Sequence, residues 1–155
     1  MSNSITNRLS AKGIALPQIS PPAANYVPYV ISGSMLYISG QLPFVNGSLN
    51  TLGKLGDTVN TETGKKAAEA CAINLLACAK AALDGDLERI SKLVKIQGFV
   101  ASTPEFTDQH LVINGASDFL VDILGERGRH ARAAVGMSAL PMNAAVEIDG
   151  IFEIQ

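Results

Sequence analysis

The sequence predicts an α+β fold, a sheet carrying two long helices on one face. Three observations lead there. Two stretches, about Thr61 to Leu83 and about Gln109 to Leu124, repeat their apolar residues near a 3.6 period, the mark of amphipathic helices. Short runs with strand-like alternation lie in front of, between and behind them. Strands gathered in runs around only two helices fit two layers better than a regular strand–helix alternation does. Size and composition agree: 155 residues, 47% hydrophobic and 17% charged, make one domain (1–155) whose core needs no disulfide staples.

Taken in order, Ser4 to Ile14 reads as a short helix, capped by Ser4, anchored by Leu9 and ended by Gly13. Leu16 to Pro28 contains Pro17, Pro21, Pro22 and Pro28 and is expected to be extended, because each proline restricts itself and its predecessor. Residues 1–24 thus form an N-terminal helix and arm. Tyr29 to Ser32 and Met35 to Ser39 are strands joined by Gly33-Ser34, a hairpin dipeptide. Asn46 to Thr58, rich in Gly, Asn and Thr, is expected to be a loop, a weak ribbon or a flexible flap.

The first long helix aligns Ala67, Ala70, Cys71, Asn74, Leu75, Cys78 and Ala82, and Asp84-Gly85 ends it, with Asp86 capping one more turn through Arg89. Leu93 to Ala101 is a strand with Leu93, Lys95, Gln97 and Phe99 on one face. Thr103-Pro104 reads as a helix opening. The second long helix buries Val112, Ala116, Phe119, Leu120, Ile123 and Leu124, and Gly125 and Gly128 break it. Ala131 to Ser138 and Ala144 to Ile154 are expected to form a C-terminal hairpin around Leu140-Pro141-Met142-Asn143, giving the order βββαβαββ with a weak third strand. In the last strand Val146, Ile148, Phe152 and Ile154 take one face, and Glu147, Asp149, Ile151 and Glu153 the other. A sheet covered on one face only is a candidate for self-association.

Several function classes are disfavoured. The net charge is −2 and no basic stripe is visible, so nucleic acid is not an expected partner. No run approaches the length of a membrane span, and no charged region followed by an apolar stretch opens the chain, so a cytoplasmic protein is expected. Cys71 and Cys78 sit on one helix about 10 Å apart, too far for a disulfide, and read as core thiols. His110 and His130 have no neighbouring Cys or paired His, so no metal site is expected.

The stretch from His130 to Gly136 is the most informative. Strand alternation sets Arg132 beside Ala134, Gly136 and Ser138, a face of small residues that leaves room for a ligand. If the last two strands pair, Glu147 becomes a rough cross-strand neighbour of Arg132. Arg offers a planar fork that matches a carboxylate. The plainer reading is an Arg132–Glu147 ion pair that supports strand pairing.

The pattern Ala131-Arg132-x-x-Val135, then Leu140-Pro141, then Val146-Glu147-Ile148 resembles the C-terminal signature of the RidA (YjgF) family. Pro28-Tyr29-Val30, Ser39-Gly40-Gln41-Leu42-Pro43 and Asn114 agree with it, so the resemblance runs from Asn25 onward. It implies a chorismate-mutase-like fold with one mixed sheet, and a homotrimer with clefts between subunits. It also implies cofactor-free hydrolysis of reactive 2-imino acids to 2-oxo acids and ammonia. On that resemblance Arg132 holds the substrate carboxylate, Glu147 handles the attacking water, and Tyr29, Ser39 and Asn114 line the cleft. Each of these three also has an ordinary reading, as a core or interface aromatic, a strand end and a solvated or capping amide.

The chain departs from the imine-deaminating pattern where His130 replaces a proline and Ala133-Ala134 replace Ser-Cys, the form of a divergent branch with longer chains. His130 shares a strand face with Arg132 and is therefore a candidate second contact to the ligand; the alternative is a strand-start histidine packed or exposed. Two further functions stay open. One is a non-catalytic trimer that binds a small carboxylate such as a 2-oxo acid or amino acid. The other is ribonuclease activity, the endoribonuclease label that the family carries.

Overall fold

The computed structural model describes residues 4–19 and 24–155, so Pro21 and Pro22 of the expected arm lie outside the described residues. The elements run α1 (Ile5–Ala11), β1 (Tyr29–Ser32), β2 (Met35–Gln41), β3 (Phe44–Val45), β4 (Ser48–Leu49), α2 (Thr61–Ala82), β5 (Ile90–Ala101), α3 (Gln109–Leu124), β6 (Ala131–Met137) and β7 (Val146–Ile154). The fold is α+β. Its five-stranded sheet has the order β1-β2-β7-β5-β6, with β5 and β6 parallel and the other pairs antiparallel, hence mixed.

The local signals act as expected. Ser4 caps α1, its hydroxyl accepting from the Asn7 N–H, and Ile5 and Leu9 bury against the core. Asn60 caps α2 through Thr63 at 2.9 Å. That helix ends where Asp84 and Gly85 both turn left-handed, at φ 53° and 93°. The small residues let the layers close: a Cβ at Gly115 would run into the Lys65 carbonyl oxygen, which is how α3 comes against α2. Buried Leu75, Leu76, Ile113 and Leu120 of the helices meet Leu36, Ile96, Ile148 and Phe152 of the sheet in one core.

Three expectations are corrected and one is narrowed. First, β6 and β7 do not form a hairpin. The chain leaves β5 through α3 and returns as β6, and such a crossover lays the returning strand parallel to its predecessor. β7 is then taken between β2 and β5, so the turn at Pro141–Asn143 carries the chain across β5 rather than back along β6. Second, β5 does not alternate strictly. A bulge between Leu93 and Lys95 moves Leu93 to the helix face beside Phe152 while Lys95, Gln97 and Phe99 keep the open face. Third, of the alternatives for residues 46–58 the weak ribbon forms, and the stretch is not a free flap. Asn46-Gly47 turns a small β3–β4 ribbon, and buried Leu55 is tied by backbone hydrogen bonds to Ala101 and Thr103. Fourth, Thr103-Pro104 makes a separate turn, closed by the Phe106 N–H donating to the Thr103 carbonyl at 3.2 Å, and α3 begins only at Gln109.

Helices cover one face of the sheet only. On the other face Val30 and Tyr37 near one edge and Val135 and Met137 at the opposite edge stand 52%, 45%, 44% and 37% exposed. The uncovered face thus carries exposed apolar side chains at both of its edges.

Candidate functional site

The sheet order separates the candidate residues into two groups. Arg132 pairs with Ile96 on one side of β5, and Glu147 pairs with Phe99 on the other. Register partners share a face. Ile96 is buried under the helices, so Arg132 lies on the helix face of the edge strand β6. Glu147 alternates with buried Val146 and Ile148 and lies on the open face. The two are two strand spacings apart, about 10 Å, and further offset along β5. They are not cross-strand neighbours and form no ion pair, which removes the plainer reading of the pair.

The first group surrounds Arg132 at the β6–α3 edge. Its Nη1 donates to Ser117 Oγ at 3.2 Å and its Nη2 to the His110 carbonyl at 3.0 Å. Ser117 Oγ is 2.9 Å from His130 Nε2, and the other ring nitrogen of His130 meets the Gly128 carbonyl. Asn114 lies between His110 and Ser117 on the same stripe of α3, since positions three and four apart share a helix face. His130 and Arg132 thus share a side, as alternation requires, but both ring nitrogens of His130 are engaged by protein. The ring of His110 is not what meets Arg132; its backbone is. The small residues after Arg132 serve packing in part: a Cβ at Gly136 would meet Gln109 Nε2 and Ser102 Oγ, themselves hydrogen-bonded at 3.2 Å.

The second group sits where β2 and β7 meet. β2 is irregular between Ile38 and Gln41, and the Glu147 carboxylate lies over Gly40, on the spot where any Cβ would stand. Burial, and then the nearby Asp149 carboxylate, raise the Glu147 pKa above its usual range. Ser39 donates its hydroxyl to the Val27 carbonyl at 3.0 Å, which fastens the strand to the preceding segment and leaves its oxygen free to accept. Tyr29 stands apart from Glu147: it is on the edge strand β1 and, as the partner of buried Ile38, on the helix face, half-buried against the core. Beneath them Asn74 of α2 donates to the Leu42 and Phe44 carbonyls at 2.9 and 3.1 Å, locking the segment after Gln41. Cys71 and Cys78 are free, buried thiols, the first pushed well up by burial and then by the Glu147 charge, the second pushed up by burial to about 11. Neither is poised to react.

Sequence reasoning had passed over Ser117 and Asn74. Ser117 was within reach, standing three residues after Asn114 on one helix face. Asn74 was visible as a lone amide in an apolar stripe. Among the described residues no cluster of His, Cys, Asp or Glu could hold a metal ion, and no helix is long and apolar enough to cross a membrane.

The family model described as "YjgF/chorismate_mutase-like, putative endoribonuclease" matches residues 6–153. The chain is 46% identical over 154 residues to Protein TCP17 of Trypanosoma cruzi, covering 99% of this chain and 96% of that protein. Atu1372 of Agrobacterium tumefaciens, a protein of unknown function, is 55% identical in its crystal structure, with a TM-score of 0.93 over 99% of this chain and 95% of that one. TdcF of E. coli, solved with bound serine, shares the fold at 20% identity and a TM-score of 0.62, covering 87% of this chain and 92% of that one. With the fold, the motif residues and a family match along nearly the whole length in agreement, this chain belongs to the YjgF (RidA) family.

Proposed function

We propose that the protein hydrolyses reactive 2-imino acids to 2-oxo acids and ammonia in a cleft completed by a second subunit of a homotrimer. What supports this is the division of the site: a held guanidinium at one edge of the sheet, and a carboxylate with raised pKa on the central strand, open to the uncovered face. Tyr29 and Arg132 lie on opposite edge strands, four strand spacings or roughly 19 Å apart. One small ligand can meet both only if the β6 edge of one subunit faces the β1–β2 edge of the next. Such an interface joins two different surfaces and closes as a ring. The uncovered sheet face supplies the apolar surface for it.

In that cleft Arg132 grips the carboxylate of the imino acid, with Asn114 beside it and Tyr29 and Ser39 of the neighbouring subunit across from it. Glu147 accepts a proton from a water that adds to the protonated imine carbon. Glu147 then returns that proton to the carbinolamine nitrogen, the C–N bond breaks as the hydroxyl forms the carbonyl, the hydroxyl proton passes back to Glu147, and ammonia leaves. A carboxyl with raised pKa suits both halves of this exchange. Orientation supplies much of the rate, because the iminium carbon is already electrophilic. Serine bound to TdcF is consistent with a carboxylate-bearing ligand on this fold. Ala133 and Ala134, small and inert, favour a second reading in which the cleft binds a 2-oxo acid without turnover. RNA cleavage ranks third.

The experiment is subunit complementation. Arg132→Ala and Glu147→Gln are refolded separately and together, and ammonia release from a freshly generated 2-imino acid is measured. In a one-to-one mixture about a quarter of the inter-subunit sites combine an intact Arg132 with an intact Glu147. Recovery to that level supports the shared site, and no recovery removes it. Wild-type protein that binds 2-oxobutanoate yet releases no ammonia moves the assignment to the binding-only reading.

A further inference from the structure

The hydrogen bonds around Arg132 run in one direction. The Gly128 carbonyl can only accept, so the His130 nitrogen facing it, Nδ1, carries a hydrogen. In the singly protonated ring the other nitrogen, Nε2, is then an acceptor, and the Ser117 hydroxyl 2.9 Å away donates to it. That turns the lone pairs of Ser117 Oγ towards Arg132, whose Nη1 donates into them at 3.2 Å. With Nη2 held by the His110 carbonyl at 3.0 Å, both terminal nitrogens of the guanidinium are fixed by α3.

We propose that Ser117 and His130 are a positioning pair that sets the plane and rotation of the Arg132 guanidinium, so that a carboxylate meets a pre-formed fork. The inference rests on reading Arg132 as the carboxylate holder. It assigns His130 a task other than touching the ligand. An arginine side chain has large rotamer entropy, and a ligand that must first order it binds more weakly. A hydrogen-bond chain ending in a backbone carbonyl removes that freedom beforehand, and each bond polarises the next. Ser117 is only half-buried, and the partners of its hydroxyl are Arg132 and His130 rather than residues of the core. Its hydroxyl therefore matters more to Arg132 than to the packing of the subunit.

The test reads the relay and the ligand separately. Nitrogen-15 NMR of the Arg132 guanidinium is recorded without ligand. Calorimetry then measures 2-oxobutanoate binding to wild type, Ser117→Ala, Ser117→Thr, His130→Phe, His130→Gln and Arg132→Ala. In wild type, rotation about the Nε–Cζ bond is hindered and the two Nη signals are separate. In Ser117→Ala and His130→Phe they merge, and affinity falls by about tenfold, as for the loss of one hydrogen bond to a charged group. Ser117→Thr keeps the hydroxyl and restores both readouts. His130→Gln, whose amide oxygen reaches towards the Nε2 position, recovers part of each. Thermal melting of each variant identifies any that fails to fold, and the threonine and glutamine variants then carry the comparison. Unchanged Nη signals together with affinity within about twofold of wild type in Ser117→Ala and His130→Phe would overturn the pairing. If Arg132→Ala still binds 2-oxobutanoate, the carboxylate-holder reading fails instead, whatever the NMR shows.

Discussion

Arg132 and Glu147 are held in opposite ways. At the β6–α3 edge the guanidinium has a partner on each terminal nitrogen, and the serine below it is held in turn by His130. At the β2–β7 corner the Glu147 carboxylate is partly buried, lies against the backbone of Gly40 and faces another carboxylate, Asp149. No arginine or lysine lies within ion-pair distance of it among the described residues. One corner is organised for a fixed charge. The other destabilises its charge, the condition under which a carboxyl exchanges protons readily. A site that must grip an anion and also move a proton needs both kinds of surroundings, and here they lie on different parts of the sheet.

The largest expected effect breaks the carboxylate corner. Glu147→Gln should lower turnover about 10²- to 10⁴-fold, a general-base effect, with 2-oxobutanoate affinity little changed. The same variant should melt higher at neutral pH. A carboxyl whose folded pKa is raised disfavours the folded state fully above that value, and the penalty vanishes below the unfolded value near 4.3. The melting advantage should therefore disappear in acid. Equal melting at all pH values would contradict the strained-carboxylate account.

Breaking the cation edge comes next. Arg132→Ala should weaken 2-oxobutanoate binding by about 2–4 kcal/mol, roughly 30- to 700-fold, with the fold intact. Arg132→Lys should lose most of it as well, because an ammonium cannot make the fork. Near-full binding by the lysine variant in calorimetry would remove the anchoring role.

Gly40→Ala sharpens the contrast with a smaller change. Its Cβ would occupy the place of a Glu147 oxygen, and that flexible end can swing aside at little cost in stability. Turnover should fall about tenfold with the melting temperature nearly unchanged, and the loss should vanish when Glu147 is already glutamine, since coupled residues are not additive. Equal losses in both backgrounds would mean that Gly40 acts elsewhere.

The smallest effect comes from a glutamate in the reverse situation. Glu88 accepts from the Ile5 N–H at 2.6 Å and pairs with Arg127 at 2.9 Å, and the hydrogen bond from Arg127 is the main cause that lowers its pKa. A depressed carboxyl pKa stabilises the folded state above the unfolded value and loses that contribution as pH falls through the folded value. Hydrogen exchange in α1 should therefore quicken below about pH 4 before the rest of the chain responds. In Glu88→Gln the exchange should already be faster at neutral pH, by a factor of a few. Uniform exchange across α1 and the core at every pH would show that this pair does not hold the helix.

Residue by residue, what could be read early was what depends on near neighbours. The apolar period of α2 and α3, the Gly33-Ser34 turn, the Ser4 cap and the two faces of β7 all follow from contacts within a few residues. So did the nomination of Arg132 and Glu147, because the Ala-Arg and Val-Glu-Ile patterns are local. The slip of Leu93 to the other face was hidden because a bulge adds one residue and shifts every side chain before it.

The sequence by itself determined the helices, the strands, the sheet face that stays uncovered and the chemistry at hand: one arginine, one glutamate, buried thiols. Tertiary structure alone decided that β5 comes between β6 and β7, that Arg132 and Glu147 face apart, and that His130 reaches Arg132 through Ser117. Periodicity is written into the chain by the geometry of single helices and strands. The order of strands, and which helix serine faces which strand arginine, depends on packing between segments far apart in sequence, and no local pattern records that choice.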